Sequence, residues 1–226
     1  MNIDKLFSDK NYLEKELNFF ITKKQIKKID KNPELVNSHI KKTRHNLEFF
    51  KLNKEHPKFN DWLIVTLYYS LYHSALALIT NKNFSSKNHY ATSLILIKSH
   101  FPPMYITGGL RWLSKSVENE NKKTDPSSAG RAYHQSIASE ANGDWWWSVF
   151  FDEYAITKDE ARLLNELSIN KEDAELYTTL KDDRHNASYA TNIKFSQETI
   201  DNYESQVLDF INKTEELIQK WKKTIY

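Results

Sequence analysis

Apolar residues recur at three- and four-residue intervals through most of this chain, the period of a helix that buries one face. Leu13, Leu17, Phe20, Ile21 and Ile26 follow that spacing and predict a first helix from an N-cap at Ser8 to about Ile29, its lysines facing water. Pro33, at a first-turn position, opens a second helix. Its stripe is Leu35, Val36, Ile40, Leu47, Phe50 and Leu52, and His56-Pro57 stops it. From an Asp61 or Asn60 cap to about Thr80 the pattern changes, because Trp62 to Ile79 is apolar almost all round. A helix of that kind needs neighbours on every side, which suits the centre of a bundle or a shared dimer interface better than a membrane span interrupted by Thr66, Ser70, His73, Ser74 and three tyrosines.

Ser85-Ser86-Lys87-Asn88 is the predicted start of a fourth helix through Ser99, with Ala91, Leu94, Ile95 and Ile97 inside, and Phe101-Pro102-Pro103 ends it. The next stretch is irregular: a short helix at 110–119, a polar run from Glu118 to Ser128, then Trp145-Trp146-Trp147. Three consecutive tryptophans do not share one helix face. They pack an insertion onto the bundle, or form a partner surface or a base-stacking platform. Helices resume at 159–168, at Lys171–Tyr189 and from Ser196 to about Lys223, the last with Ile200, Tyr203, Val207, Phe210, Ile211 and Leu217 as its core stripe.

Composition sharpens this picture. Only 4 of 226 residues are Gly, and all four lie between 101 and 145, so few hairpins are expected and an all-α bundle of antiparallel up-and-down helices is predicted, with residues 101–157 as an insertion in a single domain. The chain has no Cys, which excludes disulfides, thiolate zinc sites and a cysteine nucleophile, and fits a reducing cytoplasm. No secretory signal is visible at Met1-Asn2-Ile3-Asp4-Lys5, and a cytoplasmic location is expected. A net charge of +2 argues against bulk electrostatic binding, although residues 1–58 hold 14 basic against 8 acidic side chains, a solvated face or a weak attraction for a polyanion.

The chain lacks a Gly-rich phosphate loop, H-E-x-x-H, an EF-hand loop and G-x-S-x-G. Its eight histidines show no pairing on adjacent turns, so neither metal nor cofactor is expected. Three polar constellations remain. Lys181-Asp182-Asp183-Arg184-His185-Asn186-Ala187-Ser188-Tyr189 places Arg184 with Ser188 and His185 with Tyr189 on neighbouring turns. An imidazole with a pKa near 6.5 beside a guanidinium suits RNA chemistry without metal, and the bland alternative is a salt-bridged helix surface. The others are His73, inside the apolar helix and readable as a satisfied core residue, and Ser86-Lys87-Asn88-His89, where His89 is a site residue or a packing one.

Taken in order, Tyr68-Tyr69-Ser70-Leu71-Tyr72-His73, Ser86-Lys87-Asn88-His89 and Arg184-His185-Asn186-Ala187-Ser188-Tyr189 resemble the HEPN superfamily of small helical domains found in prokaryotic toxins, defence systems and RNA-processing factors. The resemblance covers roughly residues 8–100 and 158–223. It implies a HEPN-like bundle, a homodimer whose paired motifs form one cleft, and a module that binds RNA, a nucleotide or a protein partner such as an antitoxin. RNA-cleaving members carry an Arg followed four to six residues later by a His. Arg184 matches the Arg, His185 the polar neighbour, and Tyr189 stands where the His is expected. The alternative function is therefore a metal-independent endoribonuclease using Arg184 and His185, with Tyr189, Asn186, His73, His89 and Lys87 as binding residues.

Overall fold

The computed structural model describes residues 2–100 and 169–224, which belong to one unit built from both ends of the sequence. The predicted helices at 110–119 and 159–168, the polar run, Trp145–Trp147 and the insertion at 101–157 lie outside the described residues. The fold is all-α with one small ribbon. Its elements are α1 (Ile3–Ser8), α2 (Lys10–Thr22), β1 (Ile26–Lys28), α3 (Pro33–Asn53), a short 3-10 turn (Pro57–Phe59), α4 (Asn60–Asn81), β2 (Phe84–Ser86), α5 (His89–His100), α6 (Lys171–Tyr189) and α7 (Gln197–Thr224).

Local chemistry explains most boundaries. Asn32 accepts the amide hydrogen of Leu35 and Pro33 fills the first turn of α3, where its missing N–H costs nothing. Asn170 and Asp173 form a reciprocal capping box at the start of α6. Ser196 accepts from the Thr199 amide and caps α7, as its position predicts.

The all-round apolar helix becomes the hub: α4 packs against α3, α5, α6 and α7. Leu63, Ile64, Leu67, Tyr68, Leu71, Ala75, Ala77 and Ile79 are fully buried within it. Each buried Leu or Ile contributes about 1.5–3 kcal/mol relative to water, so this one helix organises much of the core. Its span with the preceding turn, Pro57–Asn81, is the one described segment long and apolar enough to cross a membrane, and it lies mostly buried inside the protein. The predicted stripes of α5 and α7 are buried in full.

Four expectations are corrected. The first helix is two helices and a strand: Ser8 is the last residue of α1, Asp9 caps α2 by accepting from the Tyr12 amide, and Ile26 lies in β1. Ile21 and Leu52 fit the helical spacing yet are 49% and 78% exposed, because their helices turn those edges to water. Neither Asn60 nor Asp61 caps α4. The preceding 3-10 turn leads directly into the helix, and Asn60, its first residue, donates to the Phe195 carbonyl instead, at 2.8 Å. Finally, Ser85 and Ser86 are strand rather than helix start.

That strand, β2, pairs antiparallel with β1 in the register Ile26 to Ser86, Lys27 to Ser85 and Lys28 to Phe84. The turns that allow it use Lys24 and Asn83, both at positive φ (55° and 63°), a conformation usually assigned to Gly. Glycine scarcity therefore conceals the ribbon.

Candidate functional site

The ribbon delivers the chain to α5 at a fixed point. Asn88 caps that helix, its side-chain oxygen accepting from the amides of Tyr90 (2.8 Å) and Ala91 (3.1 Å). His89 is thereby held in the first turn, against the aromatic face of α4. Its Nδ1 lies 2.5 Å from the hydroxyl of the buried Tyr68, and its ring sits 4.2 Å from that of Tyr72. From α6, Tyr177 donates to the His89 carbonyl at 3.2 Å. Side chain and backbone of His89 are both tethered.

Arg184 reaches the same place from α6. Its Nη2 donates to the Tyr69 hydroxyl at 2.6 Å, and its guanidinium carbon lies 5.3 Å and 5.7 Å from the ring centroids of Tyr69 and Tyr68, a cation–π arrangement. Its Nε is buried with no hydrogen-bond partner. The adjacent carboxylates are engaged elsewhere: Asp182 pairs with Lys181, and Asp183 accepts from the Tyr203 hydroxyl. Among the described residues no carboxylate neutralises Arg184. A half-buried cation left in this state favours an anion beside it.

A cleft of about 570 Å³ opens over these groups, lined by Tyr68, Asn88, His89, Tyr90, Lys181, Asp182, Arg184, His185 and Asn186. Burial lowers the pKa of His89, and the positive charges of Arg184 and Lys181 lower it further. The imidazole is neutral at pH 7, with its Nδ1 held by Tyr68. Burial raises the Tyr68 hydroxyl, which stays protonated. Chemically, the cleft offers two cations, of which Lys181 is paired with the lining carboxylate of Asp182, amide and hydroxyl groups, one tethered neutral imidazole and a second imidazole, His185, at its exposed side.

Four of the residues predicted from sequence therefore converge: Arg184, His185, Asn186 and His89. Three do not line the cleft. Lys87 is exposed, with its backbone amide bonded to the Gln25 carbonyl. Tyr189 is 71% exposed and packs its ring 4.9 Å from that of His185, the neighbouring-turn contact expected from the spacing. His73 faces α3, where its Nδ1 lies 3.2 Å from Nδ1 of His39. Burial, then the charges of His39 and Lys42, lowers its pKa to about 4.

Tyr68, Tyr69, Lys181 and Asn88 are site groups that the choice of candidate residues omits. Lys181, Arg184 and His185 stand three and four residues apart, and helical spacing alone puts Lys181 on their face. The tyrosines belong to the run that carries the resemblance, yet by spacing alone an aromatic pair in an apolar helix reads as core. Among the described residues no group of three His, Asp or Glu side chains is placed to hold a metal ion.

Comparison with family models, with curated proteins and with solved structures finds no match for this chain.

Proposed function

We propose that the protein is a HEPN-like helical module whose α5–α6 cleft binds the phosphate of an RNA or nucleotide, acting as a cytoplasmic homodimer in a defence or toxin–antitoxin setting. One observation carries the reading: Arg184 enters the cleft held by two tyrosines and neutralised by no carboxylate among the described residues. An ordinary surface arginine in a helix forms an exposed ion pair, as Arg44 does with Glu215 at 2.9 Å. Arg184 is positioned by ring faces and a neutral hydroxyl instead, which leaves its charge for a ligand. Titration with uridine 5′-monophosphate tests this. Saturable binding that Arg184→Ala removes, with helicity unchanged, supports the assignment, and binding that persists in the variant defeats it. Light scattering tests the dimer.

A second reading is favoured by the two imidazoles in the same cleft: a metal-independent endoribonuclease. An unprotonated imidazole nitrogen takes the proton of a ribose 2′-hydroxyl, the 2′-oxygen attacks phosphorus, and the P–O5′ bond breaks as the 5′-oxygen takes up a proton from the imidazolium or from water, giving a 2′,3′-cyclic phosphate and a 5′-hydroxyl. Arg184 stabilises the charge that builds on the phosphoryl oxygens. His185 is the candidate imidazole from sequence. His89 meets the requirement for a tethered neutral ring better, since its pKa is lowered and its Nδ1 is held. Incubating RNA with the protein in EDTA and analysing the ends decides between binding and cleavage. Cyclic phosphate lost in both Arg184→Ala and His89→Ala supports cleavage, and intact RNA excludes it.

A further inference from the structure

We propose that the outward face of the β1–β2 ribbon extends the Arg184 cleft into a track for a single-stranded polynucleotide, so that the ligand is a strand rather than a free nucleotide. The inference rests on the phosphate-binding reading of the cleft. It starts from the pleat. Side chains alternate along a strand, and Ile26 is buried, so Gln25 and Lys27 point away from the core. Ser85 opposes Lys27, and the Lys87 amide donates to the Gln25 carbonyl at 3.0 Å, which makes Lys87 and Gln25 the next pair in register. Cross-strand partners share a face. One surface thus presents Lys27, Lys87, Gln25 and Ser85, two cations and two neutral hydrogen-bonding groups.

Both lysines are exposed, and neither is paired with a carboxylate among the described residues. Residues 82–90 contain no acidic side chain, and Asp30 is the only one among residues 23–31, which hold five lysines. The surface is continuous with the cleft along the chain, because Asn88 and His89 follow Lys87 directly and both line it. Ser85 and His89 stand four positions apart, a reach of at most about 14 Å. Lys27 and Ser85 do not line the cleft, so a ligand that engages them together with Arg184 extends beyond it, as a short oligonucleotide does. The pair Gln25 and Ser85 adds hydrogen bonds suited to a sugar-phosphate backbone. An acidic peptide is the competing ligand. Its carboxylates also pair with Arg184, but it brings no planar group to the exposed ring of His185, on which a base stacks.

The test uses the full chain with four probes: a fluorescein-labelled twelve-nucleotide oligouridylate, the matching oligothymidylate DNA, uridine 5′-monophosphate and an oligoglutamate peptide of the same length. The oligouridylate is expected to bind at least about tenfold tighter than the monophosphate at low salt, with a strong salt dependence. Lys27→Gln with Lys87→Gln should lower the slope of log affinity against log salt by about 1.4, or about 0.7 for each phosphate that is no longer neutralised. Binding of the monophosphate reads the cleft alone and should not change. Monophosphate binding with no gain for the oligouridylate, or a gain that the double variant keeps in full, overturns the track and leaves the cleft reading standing. Failure of every nucleotide to bind overturns both. Oligoglutamate binding as tightly as the RNA overturns the polynucleotide in favour of an acidic protein segment. Comparable RNA and DNA affinities fit a backbone-reading track, and a preference for RNA supports the track with recognition of the 2′-hydroxyl added.

Discussion

His73 lies on the central helix and His89 packs against it; both are half-buried and both are held neutral by burial, yet their surroundings differ in kind. His73 meets another imidazole, His39 of α3, in a contact between two packed helices. His89 meets a phenol on one side and an open cleft on the other, with a guanidinium lining the same space. Burial by itself produces a quiet histidine. A candidate site needs the ring tethered at one nitrogen and a charge nearby that the protein leaves unneutralised.

The strongest way to break this comparison is at the cation. Arg184→Ala should weaken nucleotide binding by roughly 10- to 100-fold, the range of a missing charge-assisted hydrogen bond, whereas His73→Phe, at a residue that does not line the cleft, should leave affinity unchanged in the same titration. If His73→Phe weakens binding equally, the two histidines belong to one system and the contrast fails.

Acid should separate them next. The pKa of His73 falls from 6.5 unfolded to about 4 folded, so the unfolded chain takes up a proton first as pH drops. Stability is therefore complete above the unfolded value and is lost between pH 6.5 and about 4, by about 2 kcal/mol for a half-buried ring. His39 and His89 are shifted in the same direction and add to the loss. Denaturant midpoints across that window should decline less steeply in a His39→Phe, His73→Phe double variant. An unchanged slope would assign the acid response elsewhere.

A smaller effect is expected at Tyr68. Tyr68→Phe removes the group that holds Nδ1 of His89 and should cost about 1 kcal/mol of stability. It should also change the nitrogen chemical shifts of His89 while those of His73 stay in place. Smallest of all, Asn88→Ala removes the α5 cap at about 1 kcal/mol or less. Heteronuclear relaxation should then show a looser first turn at His89, with no change at His73.

Much of the scaffold is readable from residue pattern. The all-round apolar run predicts the hub, and Ala91, Leu94, Ile95 and Ile97, like the stripe from Ile200 to Leu217, predict buried faces because one contiguous helix determines each. The ribbon is hidden for a specific reason. Its turns take the left-handed conformation at Lys24 and Asn83, which a count of glycines does not reveal. The site is half legible. Arg184, His185 and Asn186 stand together in sequence, and His89 carries its own polar context. Tyr68 and Tyr69 join them only through the packing of α6 on α4, a relation that no local spacing encodes. For the same reason His73, next to three tyrosines in sequence, resembles a site residue and is in fact turned towards α3.

The hub helix also constrains how the chain is made. α4 ends at Asn81, while α6 and α7, which cover two of its sides, begin at Lys171 and Gln197. A ribosome adds roughly 5–20 residues each second, so the apolar flanks of α4 wait several seconds for the segments that enclose them. During that interval the nascent chain presents Leu, Ile and Tyr surface to the cell. The cleft at Arg184 therefore forms only after α6 has left the ribosome, and the hub helix is an early part of a core that is completed last.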